Sequence, residues 1–297
     1  MVAVVTGCNC GIGKQIVREL NIRGAKLGCN PDRLIFKCLD LAKFASIWQV
    51  AREIEQVEDH IDLLINNAGI FLYPKFKLTD DGHELVWQTN YLGHFLLTEL
   101  LVPSLSKAPS ARIVNVSALA HYYSDNLDLH LVDRRDGWDS RSSYARSKLA
   151  LVMYSFELTK RLRASNQSNI SVNSCHPGIS YTRIIRHTPL ARKPLNFIFA
   201  PLMYMIYCRS NISYSNLKSR DTLCRSYYRW FFLKTPKDGA QTPLYLALSK
   251  RVAGVSGKYF VECSQKEPLT MKDWDKRCED LYEYSIEVCG LQNYVRI

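Results

Sequence analysis

The chain lacks most of the features that would assign it to a class at once. It has no internal repeat and no low-complexity linker, so neither a solenoid nor a flexible tether is expected. Its basic residues are scattered, without a long Lys/Arg run or zinc-finger spacing, and a formal net charge of +11 therefore does not point to nucleic acid. That excess instead favours an anionic partner, which a phosphate-bearing cofactor or a membrane surface would both satisfy. No signal peptide is recognisable ahead of the glycosylation-type triplets at Asn115, Asn166, Asn169 and Asn211, so these carry no weight. The 10 cysteines fall at irregular intervals, and the one tight pair, Cys8 and Cys10, is too close for a usual zinc knuckle. No metal site is expected, and reduced thiols point to a cytoplasmic chain.

What is present is a good core, since 47% of the 297 residues are apolar. Val2-Ala3-Val4-Val5 reads as a short buried strand that ends in Thr6-Gly7-Cys8-Asn9-Cys10-Gly11-Ile12-Gly13, after which Lys14 to Arg23 reads as a helix. In such a strand, turn and helix sequence the glycines let the backbone approach a pyrophosphate, and the helix N-terminus offers free N–H groups to it. A parallel sheet then needs a crossover of a dozen or more residues. Only Ala25-Lys26-Leu27 and Gly28-Cys29-Asn30-Pro31-Asp32 precede the strand-like Leu34-Ile35-Phe36-Lys37-Cys38-Leu39, leaving no room for a second strand and helix. One strand and one helix are therefore missing, and Leu34 to Leu39 is expected to do the work of two strands. Asp40 closes this segment, either meeting the adenosine end of a cofactor or capping the helix that begins near Ala42.

Phe44 to Val57 has helical spacing, and Ile61 to Ile65 is a buried-type strand leading into Asn66-Asn67-Ala68-Gly69. Two amides and a glycine at a strand end are turn chemistry or a stitch between strands beside a nucleotide. Glu84 to Leu101 reads as a long apolar helix with Asn90 inside it, where an amide needs a bonding partner. His83 and His94 are read as ordinary helix residues. Arg112-Ile113-Val114-Asn115-Val116-Ser117 is a strand ending in a hydroxyl, and Ser171 to Cys175 is a further strand leading into His176-Pro177-Gly178-Ile179-Ser180-Tyr181-Thr182. Between them, Ser143-Tyr144-Ala145-Arg146-Ser147-Lys148 puts a phenol and an ammonium four residues apart on one helix face. A nearby cation favours phenolate and lowers the tyrosine pKa, which suits Tyr144 to acid/base work.

In this order the motifs resemble the short-chain dehydrogenase/reductases, and most of all their retinol-dehydrogenase-like branch. The resemblance rests on Thr6-Gly7 through Gly13, Asp40-Leu41, Asn66 to Gly69, Asn90, Ser117, Tyr144 with Lys148, and Pro177-Gly178 with Thr182. Gly254 to Phe260 and Leu281 to Leu291 resemble the branch's last strand and last helix. It implies an α/β fold: one Rossmann-type, doubly wound, mostly parallel sheet over residues 1–297, shortened by a strand and a helix after the first βα unit. It implies Tyr144 as acid/base, Lys148 lowering its pKa and bonding the nicotinamide ribose, Ser117 holding the substrate oxygen, and Asn90 anchoring a water that links Lys148 to solvent. The cofactor-binding set it implies is Thr6, Gly7, Gly11, Ile12, Gly13, Asp40, Leu41, Asn67, Ala68, Gly69, Tyr144, Lys148, Pro177, Gly178 and Thr182. The branch leans to NADP over NAD, and Cys10 stands where NADP-preferring relatives often carry a basic residue.

Residues 190–235 carry extra length at the family's substrate loop. Asn196 to Cys208 is strongly apolar but too short to span a bilayer, so a substrate lid, a core helix or an interfacial segment is expected there. Its basic neighbours would suit peripheral contact with an anionic membrane. Many branch relatives begin with a membrane anchor, whereas this sequence begins at the first strand, so stable anchoring does not follow from it. The expected activity is nicotinamide-dependent interconversion of an alcohol and a carbonyl on a lipophilic, retinoid-like substrate, with a homo-oligomer left open. The alternative is a non-catalytic binding or scaffold protein whose adenosine grip was lost with the missing segment.

Overall fold

The computed structural model describes residues 1–24, 32, 34–124, 127–178 and 234–294. Thr182 and residues 190–233 of the expected lid lie outside these. Among the described residues six strands form one sheet in sequential order, with the first five parallel and the last antiparallel. They are β1 (Ala3–Val5), β2 (Leu63–Asn66), β3 (Ala111–Val116), β4 (Ile170–His176), β5 (Tyr259–Val261) and β6 (Ser264–Lys266).

Helices cover both faces because the strands are apolar on both, as parallel sheets require. Alternate side chains divide them: Leu64, Ile113 and Val172 enter one core, whereas Leu63, Ile65, Val114, Val116 and Cys175 enter the other. On the second face lie α1 (Gly11–Gly24), the single turn α5 (Pro236–Gly239) and α6 (Gln241–Leu248). On the first lie α2 (Phe44–Glu55), α3, α4 (Ser140–Ala164) and α7 (Trp274–Val288). Helix α3 comes in three consecutive pieces: a turn at Leu85–Trp87, a π-helical stretch at Gln88–Leu92 and an α-helix at Gly93–Ser106. No described helix is long and apolar enough to cross a membrane.

The sequence expectation fails at the sheet edge. Leu34 to Leu39 forms no strand, so among the described residues β1 pairs only with β2 and is the edge. The segment is held to α2 instead: Lys37 Nζ lies 2.7 Å from Glu53 Oε2, the Asp40 N–H donates to Ser46 Oγ at 3.0 Å, and Leu39 packs on the core. Leu34, Ile35 and Phe36 are left exposed. His83 is also not a helix residue; it precedes α3, with Nδ1 2.7 Å from Asp133 Oδ2.

Candidate active site

The glycine turn leads from β1 into the N-terminus of α1. Gly7 has φ +65°, and a Cβ there would stand 2.7 Å from the Ala68 Cα, so a side chain is excluded on both counts. A Cβ on Gly13 would overlap Gly7 O and come within 2.5 Å of Asn67 Nδ2. The turn is thus folded against the end of β2 and held there. Asn67 Nδ2 donates to Thr6 O at 2.9 Å and to Gly7 O at 3.4 Å, and the Thr6 hydroxyl accepts the Asn67 and Ala68 N–H groups at 2.9 Å each. The Asn-Asn-Ala-Gly stretch therefore stitches strands: on the neighbouring side Asn66 Nδ2 donates to Thr98 Oγ1 and Asn115 Oδ1, both at 2.8 Å. Gly11 opens α1, and Ile12 packs beneath it on the second core.

The phenol and ammonium are carried by α4, whose first turn is fixed by Asp139 accepting the Arg141 and Ser142 N–H groups at 3.1 and 2.9 Å. Buried Glu84 accepts the Ser143 hydroxyl at 2.7 Å and the Trp87 N–H at 2.8 Å, tying the start of α4 to the start of α3. Tyr144 is 7% exposed, with Phe71 edge-on at 4.7 Å between ring centroids. Lys148 Nζ lies 5.8 Å from the Tyr144 ring centroid and donates to Val116 O at 2.9 Å. Ser117, directly after β3, donates its hydroxyl to Lys148 O at 2.7 Å.

Asn90 sits in the π-helical stretch, with both amide hydrogens and one lone pair of Oδ1 engaged. Nδ2 donates to Ile70 O and to Ser147 Oγ, both at 3.0 Å, and Oδ1 accepts the Ile70 N–H at 2.8 Å. Ser147 in turn donates to Tyr144 O at 2.8 Å. Gly69 is where these groups converge, since a Cβ there would lie 3.2 Å from Asn90 Oδ1 and 3.5 Å from Lys148 Nζ. Asn90, Ser117, Tyr144, Lys148 and Gly69 are therefore brought together, and the Thr6 turn adjoins them through Asn67 and Ala68.

Burial decides the charges. Lys148 is pushed down from the usual 10.5 to about 8, so it stays mostly protonated at neutral pH. Tyr144 is pushed above its usual 10 by loss of solvent. The phenol is therefore protonated at neutral pH. His94 and His121 are each lowered to about 4, and His176 to about 3, all chiefly by burial. These three imidazoles are neutral at pH 7.

The remaining expected residues are less convergent. Asp40 is exposed and its Oδ1 accepts the Ala42 N–H at 3.0 Å in the turn ahead of α2; it is not the helix N-cap expected of it, because α2 begins at Phe44 and Lys43 holds that position. Leu41 is a core residue, its carbonyl lying where a Cβ on Gly93 would be 2.6 Å away. Pro177 and Gly178 follow β4 directly, with the Lys234 ammonium 2.8 Å from where a Gly178 Cβ would stand. Three contributors went unread in the sequence. Ser147 had a signal, standing three residues after Tyr144 on the same helix face. Phe71 and His94 had none, because their contacts come from other elements.

A dinucleotide fits part of this arrangement. Gly7 and Gly13 pack the turn tightly against the end of β2, which places the N-terminus of the 14-residue helix α1 beside it, and the free N–H groups of such a terminus suit an anion. On the side of the turn where a second strand would stand, the described residues offer only the Leu34–Asp40 segment, exposed except at Leu39.

Known proteins agree with the topology. Residues 1–192 match the short chain dehydrogenase family. Human retinol dehydrogenase 13 is 34% identical over 97% of this chain and 84% of its own length, and human retinol dehydrogenase 14 is 34% identical over 97% and 86%. Among solved structures, a protein from Mycobacterium paratuberculosis superposes with a TM-score of 0.65 at 25% identity, covering 97% of this chain and 93% of the other. NADPH-bound carbonyl reductase from chicken fatty liver gives 0.56 at 21% identity, covering 90% and 98%. With its ordered motifs and parallel sheet, the chain belongs to the short-chain dehydrogenase/reductase family of oxidoreductases, in the retinol-dehydrogenase-like branch.

Proposed function

We propose that the protein interconverts an alcohol and a carbonyl on a lipophilic, retinol- or retinal-like substrate, using a nicotinamide dinucleotide with NADP as the first candidate. The observation that carries this reading is the buried cluster of Ser117, Tyr144 and Lys148 at the carboxyl end of the sheet, adjoining a glycine turn at a helix N-terminus. Ligands of open α/β sheets bind at that end. The names of the curated relatives supply the substrate class.

The bound cofactor supplies or accepts the hydride. The protein handles the proton. In reduction Tyr144, protonated at neutral pH, donates to the carbonyl oxygen, and Lys148 stabilises the phenolate that forms and then passes it a proton. Ser117 turns its hydroxyl from Lys148 O towards the same oxygen. Asn90, whose Oδ1 keeps one lone pair beside Gly69, anchors a water through which Lys148 is reprotonated. Thr6 to Gly13 hold the pyrophosphate, Lys148 the nicotinamide ribose, and Pro177, Gly178 and Thr182 border the nicotinamide. The apolar run from Asn196 to Cys208, outside the described residues, has the composition that a lipophilic substrate would favour.

The exposed Leu34–Asp40 segment favours the second reading, a binding protein without turnover. Titration with NADP(H) and NAD(H), followed by reduction of an aldehyde panel, separates the two. Saturable binding with turnover is expected, and Tyr144→Phe should lower kcat by about 10²–10⁴ while leaving cofactor affinity nearly unchanged. No saturable binding at millimolar cofactor would overturn the enzyme reading.

A further inference from the structure

His94 is fully buried in α3 and takes no part in the proton transfer described above. Its bonding can be worked out from valence alone. The Thr6 hydroxyl has one hydrogen and two acceptor lone pairs, and it already accepts the N–H groups of Asn67 and Ala68. Its hydrogen is left for His94 Nε2, which stands 2.9 Å away. Nε2 therefore accepts, and in a neutral ring the proton resides on Nδ1. Nδ1 stands 2.9 Å from Asn90 O, a carbonyl that can only accept, so the second contact demands the same tautomer.

Both bonds run to groups at the site. One leads to the turn that adjoins the N-terminus of α1. The other leads to the π-helical stretch whose Asn90 side chain grips Ile70 and Ser147 next to Lys148. The backbone of His94 is held as well, because the Thr98 hydroxyl donates to His94 O at 2.7 Å and receives Asn66 Nδ2 in turn. A ring that only filled core volume would need neither directional bond.

We propose that His94, as the Nδ1–H tautomer, is a positioning residue that sets the spacing between the Thr6 turn and the Asn90–Lys148 end of the site. A dinucleotide gripped at the turn then presents its nicotinamide end in register with Tyr144. The kinetic part of this inference rests on the oxidoreductase reading; the tautomer and the bonding do not.

The test compares wild type with His94→Phe, which keeps ring volume without either bond, and His94→Gln, which keeps one donor and one acceptor. Long-range proton–nitrogen correlation spectra of the wild-type chain should show an imidazole protonated at Nδ1 that disappears in His94→Gln. Amide exchange at Asn67 and Ala68 should quicken about tenfold in His94→Phe relative to Leu63 and Leu64, as the loss of one buried bond implies. With aldehyde and NADPH, His94→Phe should raise the cofactor KM about tenfold and lower kcat, and His94→Gln should recover most of both. The losses from His94→Phe and Thr6→Val should fail to add. An Nε2–H tautomer in the wild type overturns the proposal, as does His94→Phe with unchanged amide exchange and cofactor KM. Should wild type turn over no aldehyde, the enzyme reading falls, and the tautomer and exchange measurements still decide for or against His94.

Discussion

Replacing Lys148 by Met should make the protein more stable and leave it inactive. Met is similar in length and apolar, so it fills the same buried channel without a charge. Burial lowers the Lys148 pKa from 10.5 to about 8, which at pH 7 corresponds to a folding penalty of about 3 kcal/mol. Against that, the variant loses the bond from Nζ to Val116 O, worth about 1 kcal/mol. The expected net gain is about 2 kcal/mol, read as a higher urea midpoint and a Tm about 4 °C higher.

The pH dependence gives the sharper check. A depressed folded pKa means that the lysine's favourable contribution is present above 10.5 and is lost as pH falls through about 8. Wild type therefore gains on the variant as pH rises through this window. At pH 9.5 the penalty falls to about 1 kcal/mol, so the advantage of Lys148→Met should shrink to near zero. Urea denaturation of both proteins at pH 7 and 9.5, with turnover measured alongside, supplies all the numbers. A variant less stable than wild type at pH 7, or a stability difference independent of pH, would refute the claim that Lys148 is kept at a cost in stability for its function.

Two other substitutions test the frame around the site. Gly13→Ala drives a Cβ into Gly7 O and Asn67 Nδ2, and should cost about 1–3 kcal/mol together with most cofactor affinity, as read by urea midpoint and cofactor titration. Unchanged affinity would mean that the turn does not hold the pyrophosphate. Glu84→Gln keeps an acceptor for Ser143 and Trp87 while removing a buried charge whose pKa is raised by burial. A raised folded pKa contributes stability below the unfolded value of 4.5 that is lost as pH rises through the folded one. The variant should therefore gain on wild type from pH 4.5 upward, and a gap that narrows with rising pH would contradict this.

Much of the fold was legible because its signals are local. Alternation and helical spacing located β1 to β4, α1 and α2 to within a few residues, whereas α6 and β6 went unread and the last helix starts seven residues before the expected Leu281; the order of motifs along the chain pointed to the family. Asn90 was singled out because an amide inside an apolar helix needs partners, and it has three bonds. The π-helical stretch that aims it was not legible, because an i to i+5 bonding pattern leaves no mark on residue type.

Sequence alone determined the parts list: a glycine turn after a buried strand, a phenol and an ammonium on one helix face, a hydroxyl at a strand end. Each of these depends on spacing over a few residues, which the backbone period sets. Only the tertiary structure decided the state of those parts. Leu34 to Leu39 has a strand's composition yet is held to α2, because strand pairing depends on the partners that tertiary structure supplies and not on the segment itself. Tyr144 carries its proton more firmly than a free tyrosine because desolvation is summed over every element packed around it. His94, an unremarkable helix residue in the sequence, became a bridge between the two halves of the site only when Thr6, 88 positions away, was folded against it.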